Sequence, residues 1–246
     1  MVRSIFDTGG YIGTTAAYPT TKSINPVTSG LVLYLDAGNS ASYSGSGSTW
    51  TDLSGNGNHF TLFNSPTWSS SNGGRFTFDG SNQYAGLTNG FANFTSGVTI
   101  FTIVNMGNAT FYERIVDFGS GTPNNNIIFY RIDTLTTLGF YVANGSSATV
   151  DYQVSNGIVN NQIACYAVTA NGTNVTMYRN GSQIATVAET DLPPNVTRTN
   201  CYIGRSNWAG DPYYEGTMSV IMIYNRGLRA EEIAQNYNAF RSRFGI

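Results

Sequence analysis

The stretch TDLSGNGNHF, residues 51–60, gathers oxygen-bearing side chains around the single histidine of the chain, His59. Asp52, Ser54, Asn56 and Asn58 alternate there with Gly55 and Gly57. Calcium takes roughly six to eight oxygens at about 2.3–2.6 Å, often from such side chains and from backbone carbonyls. The stretch holds one carboxylate, so calcium would require a second from Asp36, Asp79 or Asp211. It also lacks the spacing and the terminal bidentate glutamate of an EF-hand. A tight connection explains the same residues, because Asp and Asn bond to nearby backbone and Gly adopts positive φ. The expectation is a turn without a metal, with no second carboxylate near Asp52. Asp52, Asn56 and Asn58 are the candidate ligands should calcium bind, and His59 is read as a partly buried residue opening a strand.

A second stretch, SNWAGDPYYEG (206–216), brings together Asn207, Trp208, Asp211, Tyr213 and Tyr214. Ligand pockets combine apolar and aromatic faces with a few placed polar groups, and sugars need both. These residues, with Trp50 beside the first loop, are therefore the candidate contacts for a glycan or a partner. The same aromatics would also serve as caps on the ends of a core, or as an assembly interface.

Hydrolysis of a glycan needs two carboxyl groups facing each other across the scissile bond, about 5–5.5 Å apart in retaining enzymes. The five glutamates are Glu113, Glu189, Glu215, Glu231 and Glu232, and no two occupy alternating positions of one strand with an aspartate between them. Glu231 and Glu232 are adjacent at the start of a helical pattern, where acidic residues suit the helix dipole. A nucleophilic triad would have to use His59, and no Gly-x-Ser-x-Gly elbow presents a serine. No catalytic residue is assigned, and an enzyme is not expected.

The elements that carry these residues follow from composition and periodicity. The 246 residues suit one large all-β domain. Only 11% of them are charged and Lys22 is the sole lysine, while Tyr, Phe and Gly are abundant. A surface solvated by hydroxyls and amides suits strands and turns, and suits a subunit held in an assembly. A net charge of −2 leaves no basic stripe for nucleic acid. The longest apolar run, MSVIMIY at 218–224, falls short of the roughly 18 residues that span a bilayer, so no membrane insertion is expected. The N-terminal stretch lacks the apolar segment of a signal peptide. Cys165 and Cys201 lie in apolar, strand-like segments and read either as buried free thiols or as one cross-strand disulfide.

Strand signals run from LVLYLDA (31–37) through RFTFDG, QYAGL, VTIFTIVNM, RIVDFG, IIFYRID, TLGFYVANG, ATVDYQV and QIACYAVT to CYIGRSN and GTMSVIMIYN (216–225). VTIFTIVNM is apolar on both faces, as in a strand at the middle of a stack. Asn180-Gly181, between NVTMYR and SQIATVA, is a hairpin signal because a type I′ turn needs positive φ twice. RAEEIAQNYNAFRSRFG ends the chain as an amphipathic helix, with acids first, arginines last and Gly245 as the C-cap. Residues 1–28 differ from the rest, being rich in Gly and Pro with isolated apolar residues. They read either as a frayed end or as an arm whose Ile5, Phe6, Tyr11 and Ile12 dock onto a partner or the domain. The division is thus an extended arm (1–28) and one domain (29–246). The fold class is all-β, a two-sheet antiparallel jelly-roll sandwich with an extended N-terminal arm and a short C-terminal helix.

Four segments in order, GLVLYLDA, WTDLSGNGN, FTFDGSNQYA and the closing YRNGSQ…YIGRSN…YYEGTMSVIMIYNRGLRAEEIAQNYNAF, carry a likeness to a known family. The chain resembles a laminin-G-like, concanavalin-A-like lectin/glucanase jelly roll, of the type found in virion proteins of tailed bacteriophages. In such proteins a short Gly-rich leader, here GGYIG at 9–13, precedes the lectin-like domain. The resemblance implies loops and a sheet face that bind glycans, sometimes with calcium. It also implies a non-enzymatic virion surface protein, a capsid decoration or fibre-type component assembled in the host cytoplasm. Residues 1–28 would hold other virion proteins, the protein would be a homo-oligomer, and the displayed domain would adhere to a host-surface glycan. The alternative from the same resemblance is a free carbohydrate-binding module or lectin outside any virion.

Overall fold

The computed structural model describes residues 24–87, 90–91, 93–107 and 110–246. The arm residues Ile5, Phe6, Tyr11 and Ile12 lie outside the described residues. Among the described residues, sixteen strands form two antiparallel eight-stranded sheets.

In chain order the strands are β1 (Leu31–Asp36), β2 (Thr49–Trp50), β3 (Phe60–Phe63), β4 (Thr67–Ser69), β5 (Arg75–Asp79), β6 (Tyr84–Leu87), β7 (Val98–Met106) and β8 (Arg114–Gly119). They continue with β9 (Ile127–Arg131), β10 (Leu138–Asn144), β11 (Ser147–Val154), β12 (Ile163–Ala170), β13 (Asn174–Arg179), β14 (Ser182–Ala188), β15 (Asn200–Ile203) and β16 (Glu215–Tyr224). The helix α1 (Ala230–Phe244) closes the fold. One sheet runs β14-β13-β12-β7-β16-β5-β4, with β1 also paired to β16, and the other runs β11-β10-β9-β8-β15-β6-β3-β2. The expected Asn180-Gly181 hairpin joins β13 to β14 with φ of 49° and 75°.

The two sheets enclose a core in which β7 contributes Val98, Ile100, Val104 and Met106. The opposite face of β7 is buried as well. Phe101 and Ile103 pack there with Cys165, Val220, Met222 and Tyr224 beneath α1, against Ile233, Phe240 and Phe244. This explains why VTIFTIVNM is apolar on both sides, since one face meets the other sheet and the other meets the helix. Cys165 and Cys201 are free thiols, one under α1 and one between the sheets. Burial pushes the Cys201 thiol up to about 12 and raises that of Cys165 too, so neither is a reactive nucleophile.

The helix begins at Arg229, in extended backbone, and Glu232 reaches back to accept the Arg229 N–H at 2.9 Å. Gly245 takes the left-handed C-cap at φ 67°, and its N–H bonds Arg241 O. Arg243, in the last turn, forms a two-point bridge to the buried Asp36 at 2.8 and 2.9 Å. One polar side chain sits on the inner face of the helix. Asn236 accepts the Val27 N–H and donates to the Tyr224 hydroxyl, which donates to Val27 O. Gln235 also donates to Asn25 O. Residues 25–27, within the segment drawn as an arm, are thereby tied to α1, with both backbone polar groups of the buried Val27 satisfied.

The sheet containing β7 is covered by α1. Among the described residues the outer face of the other sheet carries no helix, and Tyr112 and residues 205–213 stand beside it. This open face positions the site.

Candidate functional site

Strand pairing aligns outward-facing residues across the open sheet into rows. Asp151, Tyr141, Ile128, Asp117, Tyr202 and Gly86 are successive cross-strand partners on β11, β10, β9, β8, β15 and β6. Beside this row, Arg114 pairs with Tyr130, which pairs with Gly139. Cross-strand neighbours on one face lie close enough for their side chains to pack. A Cβ at Gly139 would lie 2.6 Å from Tyr130 Cε1, so the missing side chain leaves room for the tyrosine ring on the sheet.

Arg114 organises the face. Its Nη2 donates to Asp211 Oδ2 at 2.7 Å and its Nη1 to Tyr112 O at 2.9 Å, and its Nε lies 3.7 Å from Asp117 Oδ2. The guanidinium stands 4.6 Å from the centre of the Tyr130 ring and 5.7 Å from those of Tyr112 and Trp208. Cations above ring faces are attracted by the ring quadrupole. Asp117 is fully buried. It accepts from Asn126 Nδ2, from the Asn207 backbone N–H and from Asn207 Nδ2 at 2.7–2.9 Å. Burial raises its carboxyl above the ordinary range, while Arg114 and these three donors pull it back. Ser206 donates to Asp211 at 2.8 Å and accepts the Trp208 N–H at 3.0 Å, which sets the loop that carries the tryptophan.

The result is a cavity of about 230 Å³ bounded by Tyr112, Arg114, Ile128, Tyr130, Tyr141, Trp208 and Asp211. Strand residues supply its floor, and the loop residues Tyr112, Trp208 and Asp211 supply its walls. Across the Trp208 loop lies a smaller recess of about 80 Å³ lined by Arg205, Ser206, Trp208, Ala209, Asp211 and Tyr213. Arg205 there stacks on Tyr84 and Tyr202 at 4.7 and 4.6 Å, and Tyr84 stacks on Phe63 at 4.5 Å. Aromatic faces thus extend across the open sheet, with Asp211 as the one carboxylate lining either hollow.

The sequence-predicted residues divide. Trp208 and Asp211 line both hollows, and Tyr213 lines the smaller. Asn207 lies behind them, holding Asp117 rather than facing the cavity. Trp50 and Tyr214 require correction. Trp50 is fully buried, edge-on to Phe76 at 4.9 Å. Tyr214 is fully buried too, with its hydroxyl on Asn105 O at 2.9 Å. Successive residues of an extended chain point to opposite sides, so Tyr213 faces out and Tyr214 faces in. Tyr112, Arg114, Ile128, Tyr130 and Tyr141 were not anticipated. For Ile128, Tyr130 and Tyr141 the signal was the period of two in IIFYR and LGFYVAN, whose alternate residues Ile127, Phe129, Leu138, Phe140 and Val142 are the core ones. Tyr112, in a loop, and Arg114, before a bulge in β8, had none.

The TDLSGNGNHF stretch forms the connection between β2 and β3. Asp52 accepts the N–H groups of Tyr34, Ser54 and Asn58 and the Ser54 hydroxyl, so its carboxylate is consumed by its own turn. Asn56 and Asn58 donate to Leu31 O and Val32 O, pinning the loop to β1. Gly55 and Gly57 take positive φ at 87° and 75°. His59 is exposed rather than partly buried, and its Nδ1 accepts the Asp52 N–H at 3.0 Å. Among the described residues no group of three or more His, Cys, Asp or Glu comes together as a metal site would require.

Comparison with known proteins agrees with this architecture. A laminin G model described as the concanavalin A-like lectin/glucanases superfamily matches residues 79–234, more than half of the chain. No curated protein matches. Among solved structures, the binding domain of botulinum neurotoxin serotype G is similar at a TM-score of 0.66 and 15% identity, over 84% of this chain and 50% of that one. A Trypanosoma rangeli sialidase mutant displaying trans-sialidase activity is similar at 0.61 and 17%, over 89% of this chain and 34% of that one. Domain 4 of an extracellular arabinanase from Geobacillus stearothermophilus, in complex with arabinotriose, is similar at 0.63 and 16%, over 84% and 98%. The chain therefore spans half of the toxin domain and a third of the sialidase, and at these identities the likeness is one of fold.

Proposed function

Because the chain belongs to the concanavalin A-like lectin/glucanases superfamily, we propose that it is a non-catalytic glycan-binding domain that binds through the Tyr112–Trp208 cavity. The observation that carries this reading is the gathering of four aromatic rings with one carboxylate, Asp211, on the sheet face that no helix among the described residues covers. A pyranose lying against Trp208 and Tyr141 would stack its C–H face on the rings, and Asp211 would accept its hydroxyl protons. Arg114 gives its fork to Asp211 and Tyr112 O, so its charge is already matched and the cavity suits an uncharged sugar. Binding rather than hydrolysis is supported by the carboxylates themselves. Asp211 faces the hollow, while Asp117, which shares Arg114 with it, is sealed behind Asn126 and Asn207 and cannot reach a scissile bond.

The setting we infer is the surface of a tailed-bacteriophage virion, with the domain displayed for adhesion to a host glycan and residues 1–28 as the attachment to other virion proteins. Its support is the likeness of the GGYIG leader and the scarcity of charge, which fits a subunit held in an oligomeric assembly. A glycan array run with and without EDTA tests the binding reading, with retention of one class of neutral glycan independent of EDTA as the expected result. Absence of binding across the array would reject it. The virion reading predicts stoichiometric copies on purified particles, lost when residues 1–24, which precede the contacts to α1, are deleted. Particles that incorporate the deletion variant would reject the attachment role.

A further inference from the structure

A larger hollow, of about 520 Å³, lies on the other sheet where α1 ends, lined by Asn72, Arg75, Asn105, Ile163, Thr217, Arg243, Phe244 and Gly245. We infer that it is a second, separate binding site, for the anionic group of an acidic saccharide.

Three features of the lining carry the inference. Its charges are all of one sign, with two guanidiniums and no carboxylate. Arg243 is matched by its two-point bridge to Asp36. Arg75, half-buried at the start of β5, makes one bond, from Nη1 to Ser71 O at 3.1 Å, and takes part in none of the ion pairs among the described residues. A half-buried guanidinium with most of its donors free is the group best shaped to grip a carboxylate or sulfate at two points. Third, Asn105 Oδ1 is buried on the floor without a hydrogen-bond partner. A buried acceptor of this kind is costly to leave unmet, and a ligand hydroxyl would meet it. Thr217 adds a second hydroxyl contact, and Ile163 and Phe244 give an apolar side for a sugar ring.

The walls are built rather than incidental. The 3-10 turn Ser71–Gly73 packs against the end of α1, where a Cβ on Gly73 would lie 2.8 Å from the Phe244 ring. The hollow shares no residue with the Trp208 cavity and lies on the opposite sheet, so the two sites stand or fall independently.

The test is an amide-shift NMR titration of the full chain with glucuronate, glucose and inorganic sulfate, on wild type, Arg75→Gln and Trp208→Ala. Glucuronate is expected to shift the Asn105, Thr217 and Gly245 amides, and glucose is not. Arg75→Gln should weaken glucuronate about ten- to a hundredfold, the usual worth of a hydrogen bond to a charged group. Its melting temperature should stay near that of wild type, since Arg75 bridges no acid. Trp208→Ala should leave the response unchanged. Sulfate binding as tightly as glucuronate would uphold the anion site and assign its natural occupant to a free oxyanion. Shifts absent with both anions, equal with glucose, or unaltered in Arg75→Gln would overturn the proposal.

Discussion

Arg114→Met removes the cation around which the open face is organised. The side chain is almost wholly buried and serves two acids, Asp211 at 2.7 Å and Asp117 at 3.7 Å. Methionine fills much of the same volume but leaves Asp117 enclosed with only the neutral donors of Asn126 and Asn207. Breaking a buried pair from one side costs about 3–5 kcal/mol. The exposed fraction of Asp211 recovers some of its hydration, so the lower end of that range, about 3 kcal/mol, is expected near pH 7.5. The sign of the pH dependence follows from Asp117. Burial already raises its carboxyl above the ordinary range, and loss of Arg114 raises it further. A carboxyl with a raised folded-state pKa contributes most in acid and loses that contribution as pH rises through its folded value. The penalty of Arg114→Met should therefore be larger near pH 7.5 than near pH 5. Urea denaturation of both proteins at the two pH values measures it. A penalty below about 1 kcal/mol, or one that does not shrink in acid, would refute the role given to the Arg114–Asp117 pair.

Phe240→Ala should cost about 3–5 kcal/mol in urea denaturation, because the ring is buried within 6.2 Å of Tyr34 and Phe101 beneath the helix. Gly139→Ala should displace the Tyr130 ring, lowering glycan affinity severalfold in calorimetric titration. It should also destabilise by about 1–3 kcal/mol, the cost of overpacking. Glu232 is held down to about 2 by the two-point bond from Arg226, so it contributes stability above its ordinary value of 4.5 that is lost as pH falls towards 2. Thermal melts of Glu232→Gln should differ from wild type near pH 6 by no more than about 1 kcal/mol, given the partly exposed pair. The difference should shrink as pH falls below 4.5 and vanish only as it nears about 2.

Much of the fold was legible in the sequence because its strands are long enough to show a period. β7 matches VTIFTIVNM residue for residue, and α1 has both its acidic first turn and its Gly245 cap where dipole and backbone rules place them. The two-residue β2 and three-residue β4 were not anticipated, since so short a segment has no period to detect. The site was legible only in its loop. Trp208, Asp211 and Tyr213 stood out as clustered aromatics beside an acid. Tyr130 and Tyr141 were not anticipated; the period of two in β9 and β10 sets them opposite the core, but which sheet keeps a bare outer face depends on where α1 packs. That is a long-range property, fixed by Phe240 against Tyr34 and Phe101 and by Arg243 against Asp36. Trp50 and Tyr214 failed for a related reason, because proximity in sequence to a loop says nothing about the direction a ring takes.

Calorimetric titration of wild type and Trp208→Ala with the strongest array glycan decides whether the aromatic cavity is the binding site. Trp208 is half-buried on a loop, with the Arg114 guanidinium 5.7 Å from its ring as its strand contact, so its removal leaves both sheets intact. Aromatic stacking contributes about 0.5–1.5 kcal/mol beyond area burial, and the lost apolar contact adds to it. Affinity should fall at least tenfold in Trp208→Ala with the melting profile unchanged. Equal affinity in the two proteins would contradict the assignment and move the glycan elsewhere on the domain.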